Sequence, residues 1–131
     1  MRNAWLWFGI PVIVTTLFLG CAESVEQSGT FCSTGDMNEP RATHTATLLN
    51  DGKVLVVGGT GDGTNFAASA EVYDPATGEW TAVSSMSGPR GFHAAVLLND
   101  GRVLVAGGKR TSDDILSSLE LYDPSNDNGA D

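Results

Sequence analysis

The chain repeats itself. Shifted by 49 residues and with no gap, Arg41 falls on Arg90, His44 on His93, Gly58-Gly59 on Gly107-Gly108, and Tyr73-Asp74-Pro75 on Tyr122-Asp123-Pro124. Between Arg41 and Gly59 the two copies agree at 13 of 19 positions, far above what composition produces. One unit has been duplicated, and whatever the first copy folds into the second must fold into as well. A period of roughly 50 residues marks a single supersecondary unit that hides its apolar surface by stacking on its neighbours. The shift also reaches backward and sets Phe31 on Trp80, Met37 on Met86 and Pro40 on Pro89.

Each copy parses into short strands. HTATLLN and KVLVVGG flank Asp51-Gly52, and HAAVLLN and RVLVAGG flank Asp100-Gly101, so each copy carries a hairpin signal. A third strand follows at AEVYD and LELYD, and the Asp-Pro after it ends the ladder because proline has no N–H to donate. In the first copy Glu79 to Ser84 (EWTAVS) supplies a fourth strand, whereas Asn128, Gly129 and Ala130 stand in the places of Glu79, Trp80 and Thr81 in the second. The predicted class is all-β, with one four-stranded antiparallel sheet per complete repeat and no helix beyond the first 21 residues.

The paired glycines followed by a loop, the Tyr before a turn and the Trp after it resemble the kelch repeat, over residues 31–131. That resemblance implies blades of a β-propeller, about two of them, in an incomplete ring. Residues 31–40 are read as a closing strand, 41–89 as the first repeat and 90–131 as a truncated second repeat. Closed propellers carry about four to eight blades, so the chain reads as a fragment of a larger propeller or as one that assembles with others. His44, Gly58, Gly59, Tyr73, Trp80, His93, Gly107, Gly108 and Tyr122 are the structural residues of the pattern. The glycine pairs are expected to let backbone approach closely, and Trp80 and Phe31 to pack between blades.

The N-terminus reads as an address. Met1-Arg2 precedes an uncharged stretch, Ala4 to Leu19, that is short for a spanning helix. Phe18-Leu19-Gly20-Cys21 resembles the lipobox of bacterial lipoproteins, which implies a signal peptide over 1–21 and lipidation of Cys21. Residues 22–30 are a polar tether. This places the protein in a bacterial cell envelope, lipid-anchored or secreted, with Cys32 single if Cys21 is lipidated and able to pair with it otherwise. A formal charge of −9 with only seven scattered basic residues argues against nucleic-acid or anionic-membrane binding.

No catalytic, cofactor or metal constellation emerges. Equivalent positions on successive blades would hold the two histidines apart, so they read as structural. Asp62, Asn65, Asp113 and Asp114 lack the alternating spacing of a calcium loop. Gly58 to Gly63 has no helix after it to hold a phosphate, and nothing near Cys32 activates a thiol. The leading expectation is a non-enzymatic, membrane-tethered scaffold binding a protein or carbohydrate through the divergent loops Thr60 to Ala68 and Lys109 to Ser117. The alternatives are a fragment of a secreted galactose-oxidase-like enzyme, whose resemblance implies copper with Tyr, His and Cys ligands, and a truncated product without function.

Overall fold

A computed structural model describes residues 31–127. The signal, lipobox and tether readings, Cys21 and the Asn128–Ala130 substitution all fall outside the described residues. The chain divides into two units, Met1–Cys32 and Ser33–Asp131, and all described secondary structure belongs to the second.

That unit is all-β, with seven strands in two antiparallel sheets. β1 (Thr45–Leu48), β2 (Val54–Val57), β3 (Ala70–Asp74) and β4 (Glu79–Val83) form the first sheet in sequence order. β5 (Ala94–Leu97), β6 (Val103–Ala106) and β7 (Leu119–Tyr122) form the second. The described residues contain no α-helix, and a single 3-10 turn spans Pro124–Asn126. Among the described residues the arrangement is open, two antiparallel sheets of four and three strands, consistent with part of a propeller.

The hairpins form where Asp-Gly predicts them. The Leu49 N–H donates to the Lys53 carbonyl at 2.8 Å, the Gly52 N–H to the Leu49 carbonyl at 3.1 Å, and Gly52 takes φ of 87°. A left-handed glycine closing a three-residue loop is a common way to reverse two strands. The second copy repeats it at Leu98, Gly101 and Arg102. The β3–β4 turn is held by the Asp74 carboxylate, which accepts from the Ala76 N–H at 2.9 Å.

The ladder sets which side chains share a face. Thr45, Val57, Ala70 and Val83 lie in one cross-strand row and Thr47, Leu55, Val72 and Thr81 in the next. This face meets the second sheet through Ala95, Leu97, Val103, Val105 and Tyr122, and together they make the core. Leu55 and Val103 are completely buried.

One expectation is corrected: residues 31–40 form no strand. Their 34–41 portion lies against the outer face of the first sheet, where the Asn38 N–H donates to Glu71 at 2.8 Å. Phe31 is fully exposed. Trp80 faces its cross-strand partner Tyr73 with ring centroids 5.0 Å apart, and its Nε1–H donates to the Gly35 carbonyl at 2.8 Å. Cys32 is exposed and disulfide-bonded.

Candidate functional site

Antiparallel pairing sends the start of β1 and β5, the β2–β3 loop, the β6–β7 loop and the β4–β5 connection to the same end of the sheets. The framework beneath these loops is a buried ion pair that occurs twice. Arg41 reaches the Glu71 carboxylate through Nε at 3.1 Å and Nη2 at 3.0 Å, and their side chains are 1% and 2% exposed. Its Nη1 also donates to the carbonyls of Gly58 at 2.9 Å and Ser69 at 3.0 Å. One guanidinium therefore ties the chain entering β1 to both ends of the β2–β3 loop. Glu71 accepts in addition from the Asn38 N–H at 2.8 Å.

The second repeat builds the same clamp. Arg90 pairs with Glu120 and donates to the carbonyls of Gly107 and Ser118, and Glu120 accepts from the Ser87 N–H at 2.7 Å. Burial alone would raise both carboxyls. The Asn38 or Ser87 N–H and the arginine outweigh it and hold each below the usual carboxylate range. Sequence reasoning saw the arginines as repeat markers but missed Glu71 and Glu120. The available signal was a Glu recurring at the same place in two otherwise apolar strands.

Above the clamp, the blades are joined by backbone. The Gly59 N–H donates to the Arg90 carbonyl at 2.9 Å and the Phe92 N–H to the Thr43 carbonyl at 3.1 Å. Gly59 has φ of 88°, and a Cβ there would sit 2.5 Å from the Ala42 carbonyl oxygen, so this position admits only glycine without displacement. Gly108 repeats the geometry against Gly91, and Gly58 and Gly107 share its left-handed backbone. Thr43 and Phe92, equivalent in the repeat, adopt φ of 58° and 55°. A left-handed conformation at a β-branched or aromatic residue is strained, and here it turns Phe92 outward, 65% exposed.

The two histidines take different roles. His93 is buried and its Nε2 lies 2.8 Å from Thr45 Oγ1, a hydrogen bond from one sheet to the other. Burial, then the nearby Arg90 and His44, pushes its pKa down. His44 is half-buried. Among the described residues no group of three or more His, Cys, Asp or Glu side chains is placed to hold a metal ion. Tyr73 and Tyr122 occupy equivalent rows but bond differently, Tyr73 to Thr34 at 2.6 Å and Tyr122 to Asp127 at 2.8 Å.

The loops differ while their bases match. Thr60 bridges Ala42 and Phe66, and Lys109 bridges Gly91 and Ile115. In the first loop Asp62 is the hub: it accepts from the N–H groups of Asn65 and Thr64, each at 2.8 Å, and from Thr60 Oγ1 at 3.0 Å. These bonds, the Asn65 N–H foremost, hold its carboxyl well below the usual carboxylate range. In the second loop Arg110 pairs with Asp114 at 3.2 Å. Phe66 meets Phe92 edge to face at 6.0 Å, and Ile115 is 75% exposed.

The loop end thus exposes Phe92 and Ile115, and the two loops carry Asp62, Lys109, Arg110 and Asp114, above the paired clamps.

Residues 41–87 match the family model of the Kelch motif. The matched kelch motif covers β1 to β4, the first clamp and the first loop. A comparison with curated proteins found no match. The second repeat, outside that match, carries the same arginine–glutamate clamp with different loop residues.

Proposed function

We propose that the chain is an exported kelch-repeat binding module that takes a protein ligand on the loop face built by Thr60–Ala68 and Lys109–Ser117. Kelch repeats act as interaction or scaffold modules, which fits a chain without enzymatic activity. The observation that carries the reading is the contrast between duplicated framework and divergent loops. Arg41 and Arg90 make equivalent bonds, while the loops they anchor differ: both keep an apolar residue at Phe66 or Ile115, but the first carries one charge, Asp62, and the second carries Lys109, Arg110, Asp113 and Asp114. Exposed aromatic and aliphatic side chains on loops that also carry charge are features of protein-binding surfaces.

Export is supported by the uncharged N-terminal stretch and by the disulfide at Cys32, a bond that persists in oxidising compartments. The tether reading places a lipid on Cys21. A lipid thioether and a disulfide at that sulfur exclude each other, and intact-mass measurement of the envelope fraction distinguishes them.

The binding reading is tested by crosslinking and affinity capture on envelope extracts with the wild-type chain, Phe92→Ser and Ile115→Ser. A protein retained by the wild type and lost from both variants, with folding intact by circular dichroism, supports it. Retention unchanged in both variants, or a captured glycan in place of a protein, overturns it.

A further inference from the structure

At the loop end, the joint between the first sheet and the chain entering the second is fastened chiefly by backbone. The N–H groups of Gly59 and Phe92 donate to the carbonyls of Arg90 and Thr43, and those of Met86 and Arg90 donate to the carbonyls of Ala68 and Ala67. Among these bonds lies one made by side chains. His93, immediately before β5, places Nε2 2.8 Å from the hydroxyl of Thr45, the first residue of β1. A group that titrates near neutrality thus sits among bonds that do not. The clamps are duplicated, but this bond has no copy: under the 49-residue shift Thr45 falls on Ala94, which offers no hydroxyl.

The surroundings of the ring suit its neutral form. His93 is 8% exposed, and Gly58 gives it room, since a Cβ there would lie 3.0 Å from His93 Cε1. Nε2 has its partner in Thr45, whereas Nδ1 is buried with no hydrogen-bond partner among the described residues. A neutral imidazole meets this with Nε2–H donating to the hydroxyl and a bare lone pair left on Nδ1. An imidazolium would bury a second N–H without an acceptor and a charge without a counter-ion. The groups that bear on the ring electrostatically are Arg90, on its own connection, and His44, just before β1, and both disfavour a further positive charge. The carboxylate paired with Arg90, Glu120, is already engaged by that guanidinium and by the Ser87 N–H.

We propose that His93 is a pH-sensitive latch: when it takes up a proton the joint opens at the loop end, while each sheet keeps its own ladder. Water reaches Nδ1 only if the ring withdraws from the first sheet. Arg90 and Phe92 share the short connection that leads to His93, so withdrawal also breaks the Gly59–Arg90 and Phe92–Thr43 bonds. Gly59 opens the β2–β3 loop, and Phe92 stands against Phe66 of that loop. The first loop and the chain entering the second blade therefore form one surface only while the latch is closed, whatever ligand the loops take.

The test is amide exchange of the full chain, read residue by residue by NMR between about pH 7.5 and about pH 5.5 and corrected for intrinsic rates. An opened ring titrates at its ordinary 6.5, and each pH unit below that favours the protonated open form by up to about tenfold. The Gly59 and Phe92 amides are expected to lose about tenfold in protection over this range, with amides of β2 and β3 unchanged. In the same samples the His93 ring resonances titrate below 6.5. His93→Gln, which keeps a donor for Thr45 and does not titrate, removes the step, and His44→Gln keeps it. The latch is overturned by Gly59 and Phe92 amides that hold their protection throughout, by a loss shared equally with β2 and β3, or by a His93 ring that titrates at or above 6.5. These three readings need only the wild-type chain. A step that survives His93→Gln or vanishes in His44→Gln overturns it as well.

Discussion

Arg41 and Glu71 are removed from water together, and their value lies in what happens when one is lost. Breaking a buried pair by removing one partner costs about 3–5 kcal/mol, because the remaining charge stays buried. We expect Glu71→Gln to cost this much, and Glu120→Gln less, because the Glu120 side chain is 21% exposed against 2% for Glu71. Urea denaturation of the two variants makes the comparison within one molecule. Acid should destabilise the fold in two windows. His93 has a folded pKa below its ordinary 6.5, so the unfolded chain takes up the proton first; stability is full above pH 6.5 and falls as the pH drops below it. Glu71 and Glu120 have folded pKa values below 4.5, so their contribution is full above pH 4.5 and is lost as the pH falls through the folded values. In denaturation curves taken across pH, His93→Gln should remove the upper window and keep the lower. At this scale the sequence was partly legible. The arginines recurred visibly, but period-two alternation assigns Glu71 and Glu120 to a wet face, and only the Asn38 and Ser87 connections show that this face is covered.

Strands and hairpins were the most readable elements, because alternation and Asp-Gly turns are local signals that the ladder then reinforces. Residues 31–40, whose likeness to 80–89 suggested a strand, form none, and the segment is tied to the first sheet through the Glu71 carboxylate and the Trp80 indole instead of a ladder. The β3–β4 ladder also sets Trp80 against Tyr73, a contact that the sequence pattern alone did not name. The loops offer a test of how tightly an element is held. Gly59→Ala should destabilise the chain by about 2 kcal/mol or more, combining left-handed strain with the close Ala42 carbonyl. Gly63→Ala, with φ of 81° but nothing within 4 Å of the added Cβ, should cost only the strain, about 1 kcal/mol. Thermal unfolding midpoints of the two variants decide it.

For the whole molecule the asymmetry of the sheets matters most. The first sheet is covered by the second on one face and in part by the 34–41 segment on the other, while among the described residues the second sheet has one face open. Local opening follows the least-buried surface, so amides of β6 and β7 in a dilute chain should exchange with deuterium faster than those of β2 and β3. Mass-resolved exchange reads this directly, and equal protection of both sheets would contradict it. Periodicity says that repeats stack, whereas the unequal cover of the two sheets was legible only in the structure. The clamp has a last consequence, in the order in which the protein is made. Arg41 lies 30 residues before Glu71 and Asn38 lies 33 before it, and the second repeat keeps both separations. A chain that emerges N-terminus first, from a ribosome or an export channel, can close the first clamp once Glu71 is free while Arg90, further along, is still held inside, so each blade's charged framework can be set in the order in which the chain appears.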